Sequence, residues 1–373
     1  MVSSEIVRIE NVEALQRLFH EQPHQILPVG NRTKLDLTQS SATGSTVMCD
    51  LSAWAGVTIY DPSEFLITAQ AGTRLSDIQA RLAEYGQFLP CDPPGIEAGA
   101  TLGGAVASGL NGPGRLLYGS LRDFVMEVVF VDGLGNLVHG GGKVVKNAAG
   151  FDFPKLMVGS LGRMGVMTEI TLKVLPKPQC LASCRLTLAS LDECYAVSQT
   201  LLGQPLPIAA IDFLMTAPTE PTLQVRFAGP AASLPKVLER AKSLVDAAGV
   251  EGQWTAITDS AEEQRLWNER GFAGAQVRVG VDGPHLLELQ QSLGEDAGIE
   301  LTRCTGAGTE AWYRCSVKGL ETLDHALSAA KLTGLKIPFC PYQLPLLGDR
   351  QWTVGATRVQ RAMDPAQRFL AYN

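Results

Sequence analysis

Apolar residues at Val12, Leu15, Leu18 and Phe19 recur at helical spacing behind Asn11, a favourable N-cap, and Pro23 ends the run. The pattern predicts a first helix there. Strand-length apolar runs come next at Ile26–Val29, Val47–Leu51, Val57–Tyr60 and Phe65–Ala71. Thr73 then stands as a cap before Leu75, Ile78, Leu82 and Tyr85, which share one helical face, and Gly86 closes that helix. Farther on, Phe124–Val131 and Asn136–His139 flank the turn Asp132-Gly133-Leu134-Gly135, the pattern of a hairpin. Thr168–Val174 completes this set of strands, and Pro176-Lys177-Pro178 punctuates the chain.

From about residue 179 strands alternate with helices. Leu181–Leu188 and Leu223–Phe227 read as strands. Ser233 reads as the cap of a long helix with Leu234, Val237, Leu238, Ala241, Leu244 and Val245 on one face, closed by Gly249. Glu262-Glu263-Gln264-Arg265-Leu266-Trp267 reads as a charged helix face with Leu266 and Trp267 packed inside. After Ala330, the residues Pro338, Pro341 and Pro345 predict extended, loop-like chain. Three parts are therefore expected: residues 1–178, 179–330 and a closing segment 331–373.

Composition narrows the classes of function. A chain of 373 residues suits two or three domains, and 45% hydrophobic with 18% charged residues allows a large core and some surface hidden in a complex. The net charge of −7 argues against a nucleic-acid partner, which needs clustered cations. Eight cysteines are scattered without a C-x-x-C, and Cys180 and Cys184 have no second pair, so no metal or iron–sulfur site is expected in this chain. Reduced thiols of this kind fit the cytoplasm. No run of 18 apolar residues occurs, so no membrane-spanning helix is expected, and Glu5, Glu10 and Glu13 are out of place in a secretory leader.

Glycine is the informative residue. Of 38 glycines, 17 fall between Gly95 and Gly165, which implies sharp bends or close approach of a ligand to the backbone. No G-x-x-x-x-G-K-[ST] is present, and Gly133 and Gly135 sit in a hairpin turn rather than a strand-to-helix crossover. There remains Gly99-Ala100-Thr101-Leu102-Gly103-Gly104-Ala105-Val106-Ala107-Ser108-Gly109 after Pro93-Pro94-Gly95, in which only Leu102 and Val106 are large enough to anchor a core. So bare a backbone suits a nest for phosphate or a flat face for a ring, and equally a tight loop packed on a strand.

These residues carry a family resemblance. Gly99–Gly109, Tyr118-Gly119-Ser120-Leu121-Arg122-Asp123, Val129–Gly133, Lys146-Asn147-Ala148-Ala149-Gly150-Phe151-Asp152 and Gly159-Ser160-Leu161-Gly162-Arg163-Met164-Gly165-Val166-Met167-Thr168-Glu169 succeed one another as in flavoproteins of the vanillyl-alcohol-oxidase type. The last two runs most resemble FAD-binding subunits of glycolate oxidase (glycolate dehydrogenase), and Met363-Asp364-Pro365 is similar to that family's closing D-P motif. The resemblance implies an α+β chain: a PCMH-type FAD-binding domain of two α+β subdomains, then a smaller α+β, ferredoxin-like cap. It also implies FAD, with Gly30, Asn31, Arg32 and Thr33 in a first pyrophosphate loop. Pro94, Gly99, Ala100, Thr101, Gly103, Gly104, Ser108 and Gly109 would line the pyrophosphate and one ring edge. Gly165, Val166 and Met167 would reach the adenine side, with Tyr118, Gly119 and Asp123 shaping the pocket. Gly30–Lys34 holds neither His nor Cys, and Cys91 reads as a buried thiol, so the FAD is expected to be non-covalent.

Oxidising a 2-hydroxy acid needs a cation for the carboxylate and a base for the hydroxyl proton. Catalytic relatives keep paired histidines in the second domain. Here only His285 and His325 lie beyond residue 178, far apart, and Pro23 interrupts the spacing of His20 and His24. Arg115, Arg122, Arg163, Arg278, Arg303 and Arg314 are candidates for a carboxylate, each equally readable as a solvated or paired arginine. The resemblance leaves two expectations. In one, the chain oxidises glycolate to glyoxylate and passes electrons to an iron–sulfur subunit. In the other, it is a flavin relay or scaffold beside a larger sister FAD subunit. A stand-alone reductase of the same flavin fold, such as that of cell-wall enolpyruvyl-sugar synthesis, finds no support in the second-domain pattern.

Overall fold

Asn11 Oδ1 accepts a hydrogen bond from the N–H of Ala14 at 2.8 Å and starts the helix Val12–Glu21. Leu15, Leu18 and Phe19 of that helix are buried. The computed structural model describes residues 5–21, 25–35, 46–142, 150–215, 220–268, 276–294, 298–338 and 345–372. The expected stop at Pro23, His24, Cys340, Pro341 and the run Lys146–Ala149 lie outside the described residues. The helix packs on a parallel three-stranded sheet in which Thr46–Asp50 lies between Glu5–Arg8 and Gln25–Val29. A parallel arrangement puts the carboxyl ends of the strands together, and Gln25–Val29 therefore delivers the loop at Gly30 to that edge.

The next unit is an antiparallel five-stranded sheet, in spatial order Val57–Asp61, Leu66–Gln70, Val166–Lys173, Val125–Val131 and Leu137–Gly141. The last two form the expected hairpin around Asp132–Gly135. The helix Leu75–Ala83 buries Leu75, Ile78 and Leu82 against the sheet, whereas Tyr85 lies beyond the helix and is exposed. Thr73 does not cap this helix: its hydroxyl hydrogen bonds with the backbone of Gly56, and Arg74 takes the cap position without a side-chain bond.

After residue 178 the chain builds one antiparallel sheet of nine strands, eight from two β-α-β-β-α-β units side by side and a ninth at Leu346–Gly348. The first comprises Cys180–Thr187, Leu191–Leu202, Ile208–Met215, Pro221–Gly229, Leu234–Ala247 and Gln253–Ile257; the second Gln276–Gly280, Gly283–Leu293, Ile299–Thr305, Glu310–Cys315, Val317–Ala329 and Thr333–Ile337. Each has the ferredoxin-like connectivity. They join through Phe213↔Cys304 and Leu214↔Arg303. Period-two alternation sends Cys184, Leu186, Val225, Phe227, Ile211, Phe213, Val277 and Tyr313 to the helix-covered face. Ser233 starts the helix at Leu234, but its hydroxyl donates to Pro230 O instead of capping.

The chain after Ala330 is more ordered than its prolines predicted. Thr333–Ile337 pairs inside the nine-stranded sheet, Leu346–Gly348 is its edge strand, and Trp352–Met363 is a helix. Asp364 then accepts from the N–H groups of Arg368 (2.7 Å) and Phe369 (2.8 Å), which turns the chain back onto Ile26. Tyr372 Oη donates to Ser160 O at 2.7 Å, and Arg163 donates to Ala371 O. The closing segment thus ties the strand before Gly30 to the loop at 160–165.

The second face of the nine-stranded sheet carries polar groups and meets the first half of the chain. Buried Glu310 accepts from Arg115 of the short helix Arg115–Tyr118 at 2.5 Å and from Arg278 at 3.0 Å. Glu263, expected on a charged helix face, is buried instead. It accepts from both Nε and Nη2 of Arg226 (2.6 and 2.9 Å) and from Ser183 Oγ (2.9 Å). Trp267 is buried as expected.

Candidate functional site

Gly30 stands at the end of the strand Gln25–Val29 because nothing larger fits: a Cβ there would lie 2.3 Å from Thr101 Oγ1. Two segments far apart in sequence thus approach backbone to side chain. Arg32 takes a left-handed conformation (φ 56°), Asn31 Nδ2 donates to Gly99 O at 2.7 Å, and Leu35 N–H closes a turn onto Arg32 O. Among the described residues, no main-chain N–H from Gly30 to Lys34 has a hydrogen-bond partner. Successive free N–H groups around a left-handed residue form an anion-binding nest.

The opposite wall is the short helix Leu102–Ser108. Thr101 caps it by accepting from Gly104 N–H, Leu102 and Val106 are buried, and a Cβ on Gly103 would lie 2.9 Å from Ala71 Cβ. Leu161 (φ 54°), Gly162, Gly165 and Met167 supply the third wall. Between these walls lies a cavity of about 810 Å³, counting space open at its mouth.

Ten residues singled out in the sequence meet at this cavity: Gly30, Asn31, Arg32, Thr33, Thr101, Gly103, Gly104, Ser108, Gly165 and Met167. Seven others do not line it. Gly99 lies behind Asn31, and Pro94 and Ala100 are buried in the segment leading to the short helix. Gly109 ends that helix at φ 63°, facing Gly159, and Val166 points into the core under the first sheet. Tyr118 stacks edge-on with Phe88 at 5.4 Å, and Gly119 ends its short helix. Nearby Asp123 accepts from Ser120 N–H and Oγ as a capping box. Conversely, Leu27, Lys34, Leu51 and Ala71 line the cavity although no sequence signal placed them there, and Leu161 and Gly162 join them from the Gly159–Glu169 motif. The left-handed backbone of Leu161 and Gly162, which turns them to the cavity, leaves no periodic trace.

Lys34 is 6% exposed, and burial alone lowers its ammonium to about 8. Arg32 also lines the cavity, with Nη2 3.9 Å from Asp50. Cys91 is fully buried, is absent from the cavity wall and is pushed up to about 12 by desolvation, the state of an inert thiol. Among the described residues, no cluster of three or more His, Cys, Asp or Glu is arranged to hold a metal ion, and no helix is long and apolar enough to cross a membrane.

A free-amide nest, a buried cation and a glycine-lined cavity suit a ligand with an anionic diphosphate. Residues 6–141 match the family described as FAD binding domain. This part of the chain is similar to FAD-binding domains, and the cofactor the match indicates is FAD. The residues present fit that cofactor: the nest suits a diphosphate, and the glycines leave room for a ring against the backbone. The chain is 41% identical over 212 residues to glycolate oxidase subunit GlcE of Escherichia coli, a match covering 57% of each protein. It is 32% identical over 210 residues to a D-lactate dehydrogenase of Anaerostipes hadrus, covering 56% of this chain and 44% of that one. These matches span about half the length of either relative. A solved alkyldihydroxyacetonephosphate synthase superposes with a TM-score of 0.71 at 15% identity, over 99% of this chain and 77% of the other. The first half of the chain and the nine-stranded unit after it therefore follow together the α+β fold of that structure.

Proposed function

We propose that this chain is the FAD-bearing subunit of a 2-hydroxy acid dehydrogenase complex that oxidises glycolate to glyoxylate. The observation that carries this reading is the glycine-walled cavity facing the free amides of Gly30–Lys34. The similarity to GlcE and to a D-lactate dehydrogenase supports the substrate class. When bound, the flavin supplies hydride acceptance from an alcohol carbon and release of electrons singly. Gly30, Asn31, Arg32 and Thr33 hold the cofactor at its diphosphate. Thr101, Gly103, Gly104 and Ser108 face it across the cavity, and Gly165 and Met167 close the adenine side. It is held without a covalent bond, since neither His nor Cys stands in Gly30–Lys34 and Cys91 is buried elsewhere. Electrons leave to an iron–sulfur subunit of a cytoplasmic complex, beside a sister FAD subunit, and any contact with a membrane comes through those partners.

A second reading, a flavin relay or scaffold supporting the sister subunit, is favoured by the state of the second-half side chains. His285 and His325 are exposed on separate helices. Arg278 is committed to Glu310, Arg314 to Glu300, and Arg303 lies over Trp312 at 4.9 Å. Anaerobic addition of glycolate to the purified, FAD-loaded chain separates the readings. Bleaching of the flavin absorption by the isolated chain is expected if it is catalytic. No bleaching, with turnover appearing only when partner subunits are added, assigns it the relay role.

A further inference from the structure

Lys34 is a buried ammonium short of partners among the described residues. Its Nζ has one hydrogen-bond contact, with Thr33 Oγ1 at 3.4 Å, and no ion pair among the described residues. It lines the same cavity as Arg32 and Thr33, beside the nest of free main-chain N–H groups. Removing an ammonium from water without a counter-charge is costly, so such a group is stable only where an anion completes it. Asp50 is not that anion: its ion pair is with Arg32, at 3.9 Å, and Ser52 N–H also binds it.

We propose that Lys34 is a cofactor-binding residue whose side chain neutralises the diphosphate of FAD, while the amides of residues 30–34 fix its orientation. This rests on the FAD-binding reading of the cavity and adds to it a residue that geometry alone supplies. The amides give direction without net charge; the lysine provides the charge, and a charge-assisted hydrogen bond is about twice as strong as a neutral one. The lysine accordingly destabilises the empty chain and is compensated when FAD arrives.

The test is FAD affinity by flavin-fluorescence titration of the full chain, with apo-protein melting measured in parallel. Lys34→Met is expected to weaken FAD binding by about 10- to 100-fold and to leave the apo-protein at least as heat-stable as wild type. Lys34→Arg, which keeps the charge, is expected to stay within about fivefold of wild type, less than the loss of one charge-assisted bond. Should Lys34→Met fail to fold, Lys34→Gln provides the same comparison. FAD binding by the neutral variant within twofold of wild type would overturn the proposal, as would Lys34→Arg binding as weakly as Lys34→Met. A wild-type chain that binds no FAD would overturn the underlying reading, an outcome distinguishable because it appears before any substitution.

Discussion

Gly30→Val is expected to weaken FAD binding by about 10- to 100-fold. The substituted Cβ would start 2.3 Å from Thr101 Oγ1 and 3.0 Å from its Cγ2, and the γ-methyl groups need further space. Overpacking of this kind costs about 1–3 kcal/mol. Relief requires the loop to swing away from Thr101, which disperses the free N–H groups of residues 30–34 and disturbs the cap of the short helix. Binding bears most of the loss because both walls of the cavity move apart. Gly355→Ala is the matching control: Gly355 lies in the helix Trp352–Met363 with nothing within 4 Å of a new Cβ, so affinity stays at the wild-type value. Flavin-fluorescence titration measures both. Wild-type affinity in Gly30→Val would remove this loop from the site.

Glu310→Leu is expected to cost about 2–3 kcal/mol of folding stability. Glu310 is 2% exposed and its carboxylate serves Arg115 from the first half of the chain and Arg278 from the adjacent strand. Breaking a buried pair by deleting one member typically costs about 3–5 kcal/mol because the other charge is stranded. Here Arg115 and Arg278 keep 43% and 24% of their side-chain exposure, so water relieves part of the loss. The exposed pair Arg314–Glu300 gives the contrast, and Glu300→Leu is expected to change stability by less than about 0.5 kcal/mol. Urea unfolding of the two variants tests the difference; equal midpoints would contradict a shared buried carboxylate between the halves.

The helix at Val12, which buries one face, and the hairpin around Asp132–Gly135 appear where the pattern placed them. The misplacements have a common origin in long-range contacts. Thr73 has the right chemistry for a cap, but Gly56 competes for its hydroxyl. Glu263 looked solvated because its partner Arg226 lies on a strand 37 residues earlier. The prolines after Ala330 suggested loop, yet sheet pairing with Gln276–Gly280 holds Thr333–Ile337 as a strand. At the cavity, small residues and Gly30–Thr33 were readable because glycine marks close approach. Lys34 was not, since it is defined by partners missing among the described residues.

Everything proposed for this chain depends on FAD seated without a covalent bond in the cavity between Gly30–Lys34 and Leu102–Ser108. Loading the purified chain with FAD, removing the excess and precipitating the protein with acid tests it most directly. The expected result is one FAD per chain with a flavin absorption spectrum, all of it released into the supernatant. A chain that takes up no FAD, or a precipitate that stays yellow, would contradict it.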